Sequence, residues 1–222
     1  MQTNDHSPSV HFFVMLILVT FCTQLSAQQR FRAGAVVGLT ASQIDGDLSA
    51  GYNKLGLQAG LRVVSRLKMK SEASLEFLFS QRGAQSELIQ NKYDYFPFAV
   101  TLNYVEVPLQ WHYKDWLIEG GDDPSESYYK VGVNVGLSYA RLIGTRLDDD
   151  NTWLRGVVPD YLKKDDVSVV LGFNFFINRH FGFTVRYNRS LGFMYDPRKW
   201  NPAPVSRAWN GHCLYFQTVY LL

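Results

Sequence analysis

From Phe31 onward, apolar or aromatic residues alternate with glycine, small polar residues or charges. The clearest run is Tyr129-Lys130-Val131-Gly132-Val133-Asn134-Val135-Gly136-Leu137-Ser138-Tyr139, whose odd positions are all apolar or aromatic. Successive side chains of a strand point to opposite faces, so this run predicts one greasy face and one polar or crowded face. The same period predicts eight strands, at 32–43, 55–65, 70–81, 101–113, 128–142, 166–177, 181–191 and 211–222. Each reaches or exceeds the roughly 9–11 residues a tilted strand needs to cross hydrocarbon. Strands of soluble proteins more often stop near about 5–6 residues.

The connections between these segments alternate in length. Those at 66–69 and 178–180 are tight and 114–127 is moderate, while 82–100, 143–165 and 192–210 are longer and 44–54 is grouped with them. Barrels of the bacterial outer membrane keep short turns on the periplasmic side and long loops outside. The expectation is an all-β chain, an eight-stranded antiparallel up-and-down transmembrane β-barrel with both termini in the periplasm. Parity then assigns faces. Residues such as Val37, Leu61, Phe77, Leu109, Val133, Leu171 and Val185 point to lipid, and no charge interrupts their rows. The inward rows carry Gly34, Gly38, Gly60, Gly136 and Gly172 among polar and charged residues, glycine making room for larger side chains opposite. Trp111, Tyr113, Trp116, Tyr128, Tyr129, Phe175 and Phe181 fall near one rim, and Tyr139, Tyr187 and Phe193 near the other, as two aromatic belts.

Residues 11–21 form a short hydrophobic core followed by Gln24-Leu25-Ser26-Ala27, which reads as an export signal over 1–27 and a barrel domain over 28–222. The segment before that core has no Lys or Arg, which is atypical. Composition changes the picture only by exclusion. Net charge is +2 without a basic tract, so nucleic acid is not an expected partner. Cys22 leaves with the signal and Cys213 stays without an intrachain partner, which removes a disulfide framework. Aromatics at 15% suit a chain with two membrane interfaces.

Candidate chemistry is sparse. His112, His180 and His212 sit in different hairpins without metal-ligand spacing. Ser138 and Ser190 have no evident histidine and carboxylate at their level. No catalytic residue, cofactor or metal is therefore expected, and the chain is read as no enzyme. Asp148-Asp149-Asp150, with Asp165-Asp166 closing the same loop, lacks the spaced calcium-loop pattern and reads as a solvated loop. The inward charges are more informative: Arg62, Glu72, Glu76, Glu106, Lys130 and Arg186 are expected to form lumen ion pairs, since a stranded buried charge is costly. Counting from the turns puts Glu76, Glu106 and Arg186 at mid-barrel depth, with Arg62, Glu72 and Lys130 nearer the periplasm. In the predicted outer loops, Tyr93, Tyr95, Phe96, Tyr195 and Trp200 stand beside charges, suited to recognition, to a plug over the mouth or to lipid headgroups.

Four stretches carry a family resemblance: Phe31-Arg32-Ala33-Gly34-Ala35-Val36-Val37-Gly38-Leu39, Leu75-Glu76-Phe77-Leu78-Phe79-Ser80-Gln81-Arg82-Gly83, Tyr104-Val105-Glu106-Val107-Pro108-Leu109 and Phe181-Gly182-Phe183-Thr184-Val185-Arg186-Tyr187. Through them the chain resembles the small outer-membrane β-barrel family of Bacteroidetes that includes the PorT-like proteins. The resemblance implies a Gram-negative outer membrane, contact with its lipid, and a role as accessory of type IX-like secretion or surface assembly with other envelope or secretion proteins. Barrels of this class usually end on an aromatic, whereas here Tyr220 lies two residues in, sharing a face with Phe216 and Leu222. Two other functions stay open on the sequence: an exported soluble lipocalin-like barrel holding a small apolar ligand, and a lipid-modifying outer-membrane enzyme. A diffusion pore ranks behind them, because eight strands leave an interior that side chains fill.

Overall fold

The alternation closes on itself. The computed structural model describes residues 30–45, 51–85, 99–121, 126–148, 161–200 and 207–222. Eight antiparallel strands follow in chain order: β1 (Phe31–Asp45), β2 (Lys54–Lys68), β3 (Ser71–Gln85), β4 (Ala99–Ile118), β5 (Tyr128–Asp148), β6 (Asp165–Phe176), β7 (Phe181–Ser190) and β8 (Asn210–Leu221). Each pairs with the next, and β8 closes on β1 from Gly34↔Leu221 to Asp45↔Asn210. Closure removes the sheet edge and keeps the ladder hydrogen bonds inside the wall, as hydrocarbon demands.

The eight strands and their order match the pattern, but several run longer than predicted. β3 continues to Gln85, β5 continues to Asp148, and β4 spans Ala99–Ile118, with Ala99 paired to Asp148 at the tip. Apolar alternation marks only the stretch that meets an apolar surround. The backbone ladder needs no unbroken greasy face and carries on past it.

Register fixes the barrel's girth. Following paired residues from Ala33 through Val63, Leu75, Leu109, Leu137, Val169, Arg189 and His212 returns to β1 at Gln43, ten residues beyond the start. Such a stagger tilts strands by about 35–45° and leaves an interior just wide enough for side chains. The parity rows fall as expected. Leu61 is 65% exposed, Val37 61% and Leu171 50%, while the neighbouring inward residues Arg62, Val36 and Val170 are buried. Phe216, Tyr220 and Leu222 also share the outer face. A continuous apolar band of this size has no place in water.

Inward glycines do two jobs. At Gly172 a Cβ would lie 2.6 Å from Asn134 Oδ1 and 2.9 Å from Arg186 Cγ, so this glycine does make room for lumen side chains. At Gly60 and Gly136 the nearest atoms are main chain: a Cβ would stand 2.1 Å from the carbonyl oxygen of Phe77 or Leu109. Those glycines let adjacent strands curl tightly around the axis. Inward rows also contain apolar residues the sequence reading passed over. Val36, Val64, Leu78, Val219 and Leu221, with Phe176 against them, pack near the chain termini. Ile44, Leu102, Tyr104, Met194, Tyr195 and Trp209 belong to a second cluster at the opposite end.

Two outcomes follow for the wall. Val133→Arg is expected to destabilise the barrel in lipid by about 2–4 kcal/mol if Val133 lies near mid-bilayer, read by urea titration in liposomes. An unchanged midpoint would contradict the face assignment. Gly136→Ala is expected to cost about 1–3 kcal/mol through overpacking against Leu109, in the same assay.

Candidate functional site

The lumen holds a dense constellation of buried ionisable side chains, built from the even-numbered rows of β2 to β7. Glu76 on β3 sits at its centre. Arg62 Nε of β2, its cross-strand partner, donates to Glu76 Oε1 at 2.5 Å. From β7, Arg186 Nη1 and Nη2 donate to Glu76 Oε2 and Oε1 at 2.7 and 2.6 Å. Strands β3 and β7 lie four apart in a ring of eight, so this bidentate pair spans the lumen wall to wall.

Glu106 on β4 forms the second node. Ser138 Oγ and Asn188 Nδ2 donate to its Oε1 at 2.7 and 2.9 Å. Tyr215 OH and Gln58 Nε2 reach Oε2 at 3.3 and 3.5 Å. Arg82 of β3 completes the set, with Nη2 2.6 Å from Glu106 Oε2 and Nη1 3.1 Å from Asp166 Oδ2 on β6. The Arg82 guanidinium also lies 5.1 and 5.8 Å from the ring centres of Tyr104 and Tyr215. Ser190 Oγ donates to Asp166 at 3.0 Å. Three guanidiniums, Arg62, Arg82 and Arg186, therefore face three carboxylates, Glu76, Glu106 and Asp166, and all six residues are buried.

Amides extend the network. Thr184 Oγ1 donates to Asn174 Oδ1, Asn174 Nδ2 to Asn134 Oδ1 and Asn134 Nδ2 to Gln110 Oε1, at 2.9, 2.9 and 2.6 Å, a chain across β7, β6, β5 and β4. Gln217 donates to Gln58 between β8 and β2. Cavities beside this layer measure about 20 and 10 Å³. A single water needs about 10–15 Å³ of such volume, so each has room for about one water and for no larger solute.

The expected lumen residues divide. Arg62, Glu76, Glu106 and Arg186 come together as described. Glu72 lies nearer the termini, 3.3 Å from Arg32 Nη2 and in hydrogen-bonded contact with Lys114. Lys130 departs from the expectation. Its ammonium lies 4.6 Å from the Trp116 ring centre and 5.7 Å from that of Phe175, two exposed rings. Trp116 of β4, whose ring meets that ammonium, adopts φ 59° in the left-handed region.

Two central residues were missed. Arg82 was assigned to a loop, and Asp166, the first residue of a predicted strand, was grouped with an acidic loop cluster, although both continue the inward parity of 72–80 and 168–174. Its neighbour Asp165 points outward and accepts from Arg141 Nη1 and Tyr139 OH, each at 2.6 Å. Ser138 and Ser190, weighed as nucleophiles, are hydroxyl donors inside the network. His112 is buried with Nε2 2.7 Å from Ser74 Oγ, His180 Nδ1 lies 2.6 Å from the Leu221 carbonyl oxygen, and His212 contacts Asp45 and Tyr52.

The loop aromatics also separate. Tyr93, Tyr95 and Phe96 lie outside the described residues. Tyr195 is only 3% exposed and bridges to Trp209 through the backbone, so it belongs to the apolar cluster closing that end. Trp200 is 41% exposed, with Tyr161 edge-on at 4.5 Å. Between them, Arg198 hydrogen-bonds Asp196 and holds its carboxyl below the usual range.

An outer-membrane protein beta-barrel domain model matches residues 24–196. The chain belongs to that outer-membrane β-barrel family. The barrel is thus a membrane protein whose exposed apolar band faces lipid. Among solved structures it is similar to Ail, the attachment invasion locus protein of Yersinia pestis, at 11% or 12% identity, depending on the structure compared, with 87% of this chain and 99% of that chain covered and a TM-score of 0.40. It is also similar to Neisserial surface protein A at 9% identity, with 86% and 96% covered and a TM-score of 0.41. OprG of Pseudomonas aeruginosa aligns at 14% identity over 86% and 94%, with a TM-score of 0.42. No curated protein matches.

The lumen network makes a sharp contrast of mutants. Glu76→Gln keeps the shape but strands Arg62 and Arg186, so this barrel should lose about 3–5 kcal/mol of stability. Glu126→Gln, which breaks the exposed pair with Arg179, should cost less than about 1 kcal/mol. Equal urea midpoints for the two variants in liposomes would contradict the lumen assignment.

Proposed function

We propose that this barrel is a sealed, non-enzymatic anchor of the outer membrane that serves as an accessory of secretion or surface assembly. The observation that carries the reading is the balanced, filled lumen inside an outward apolar wall. A filled lumen offers no ligand chamber of lipocalin type and no wide solute path. What remains for function is the wall, the rims and the loops, which are surfaces for partners. The residues on the network that resemble catalytic groups are all engaged in structural hydrogen bonds.

The resemblance to the PorT-like barrels of Bacteroidetes gives this reading its direction, toward a type IX-like export route and partners among envelope or secretion proteins. Residues 1–27 serve as the export signal, and the mature chain starts near Gln28. Both termini then face the periplasm, because the tight connections at 69–70 and 177–180 share their end of the barrel with 119–127, while the longest connections, at 86–98, 149–164 and 191–209, share the other.

The reading predicts three results in one strain series. The protein bands with outer-membrane vesicles and needs detergent for release. A tag after Leu222 is shielded from protease in intact cells, whereas a tag at Gly192 is cleaved. Deleting the gene impairs display of surface-bound cargo and leaves permeability to small solutes unchanged. Recovery in the soluble periplasm, or cleavage at Leu222 with protection at Gly192, would overturn it.

A further inference from the structure

We infer that the barrel mouth beside the chain termini is a binding site for a small, multiply charged oxyanion, either a free phosphate compound or the phosphate headgroup of an anionic lipid. A cavity of about 210 Å³ opens there. Its cationic lining is Arg30, Arg32, Arg66, Lys114 and Arg179, and Glu72 is the one carboxylate among the described residues that line it. The whole chain carries a net charge of only +2, so this concentration is local and not a consequence of composition. The mid-lumen layer beneath is balanced, three guanidiniums to three carboxylates, and lends the mouth no compensating negative charge.

Glu72 shows what the mouth can grip. Arg32 Nη2 reaches its carboxylate at 3.3 Å, and Lys114 holds the same oxygen from the other side. Arg179 makes a rim pair with Glu126 at 3.1 Å, and its main-chain oxygen accepts from Arg32 Nη1 at 3.1 Å, which fixes the Arg32 side chain over the opening. Two basic side chains, from β1 and β4, already converge on one oxyanion, with further cations around them. Guanidinium forks match the geometry of phosphate and carboxylate.

Size and depth select the ligand class. The volume is well above the share of one water, and below the ~300–1,000 Å³ of pockets for drug-sized molecules. The floor is apolar, with Val64 and Phe176 belonging to the terminal-end cluster, so the anion stays at the mouth and does not enter the lumen. Lys114 also packs over the Tyr129 ring at 5.1 Å, an aromatic wall for the organic part of a phosphate ester or headgroup.

The test uses the full barrel in nanodiscs of zwitterionic lipid, titrated with pyrophosphate by calorimetry. Saturable binding is expected, weakening as salt rises. Arg32→Gln should lower the affinity at least tenfold, and Arg141→Gln, on the outer face near the opposite end, should leave it unchanged. Glu72→Gln should tighten binding several-fold, because it removes the built-in competitor; a misfolded barrel would not gain affinity. Nanodiscs containing phosphatidylglycerol separate the sources. Loss of pyrophosphate binding there assigns the mouth to lipid headgroups, and unchanged binding assigns it to a free anion. Absence of saturable binding in zwitterionic nanodiscs, or equal affinity in wild type, Arg32→Gln and Glu72→Gln, would overturn the inference.

Discussion

The bidentate pair between Glu76 and Arg186 crosses the barrel from one wall to the wall opposite, and the rest of the interior is arranged around it. A closed sheet in lipid gains little from greasy contacts on its outside, because its surroundings are as apolar as its side chains. Its specific cohesion has to come from the wall's ladder and from what fills the lumen. In a narrow lumen an ion pair that joins opposite walls acts as a strut. Arg62 secures Glu76 to β2, while Arg82 couples Glu106 to Asp166, so β2, β3, β4, β6 and β7 are tied together by charge alone. The arrangement is stable only because the count balances. A charge removed anywhere leaves the layer with an unbalanced buried charge.

Above and below this layer the chemistry changes. Val36, Val64, Leu78, Val219 and Leu221 seal it toward the termini, and the cluster around Tyr104, Tyr195 and Trp209 seals it at the other end. Water is thereby kept from the ion pairs, which strengthens them and closes the axis. The interior is a sandwich of apolar, ionic and apolar material, with a basic mouth at one end. Pro108 adds a local exception in the wall. The β3–β4 ladder steps from Leu75↔Leu109 to Leu78↔Glu106, and Pro108, which has no N–H to give, lies in that interval, two residues from Glu106.

Most of the wall was legible in the sequence because dyad parity is a local property. Two residues suffice to say which of them faces in, and Glu76, Glu106, Arg62 and Arg186 were read correctly as inward on that basis. Strand ends were less legible. Arg82 lies where the apolar face has stopped, so a reading that relied on greasy alternation ended its strand one residue short, while Asp166 was counted at its strand's start but grouped by its acidic neighbour with the loop. Lys130 was placed inside by the parity of β5, yet its long side chain carries the ammonium to the exposed rings of Trp116 and Phe175. Tyr195 looked like a surface aromatic from its charged neighbours, yet the return of the β7–β8 connection buries it against Trp209. Pairing itself was out of reach. Which inward residue meets which depends on the ten-residue stagger around the barrel, and no single strand carries that information.

The central claim is that the lumen is shut by a neutral, fully occupied ionic layer. Conductance of the folded barrel in a planar lipid bilayer tests it most directly. The account predicts a silent membrane at either polarity, apart from brief, irregular events. Stable, sizeable single-channel steps from barrels shown to be intact by circular dichroism would contradict it.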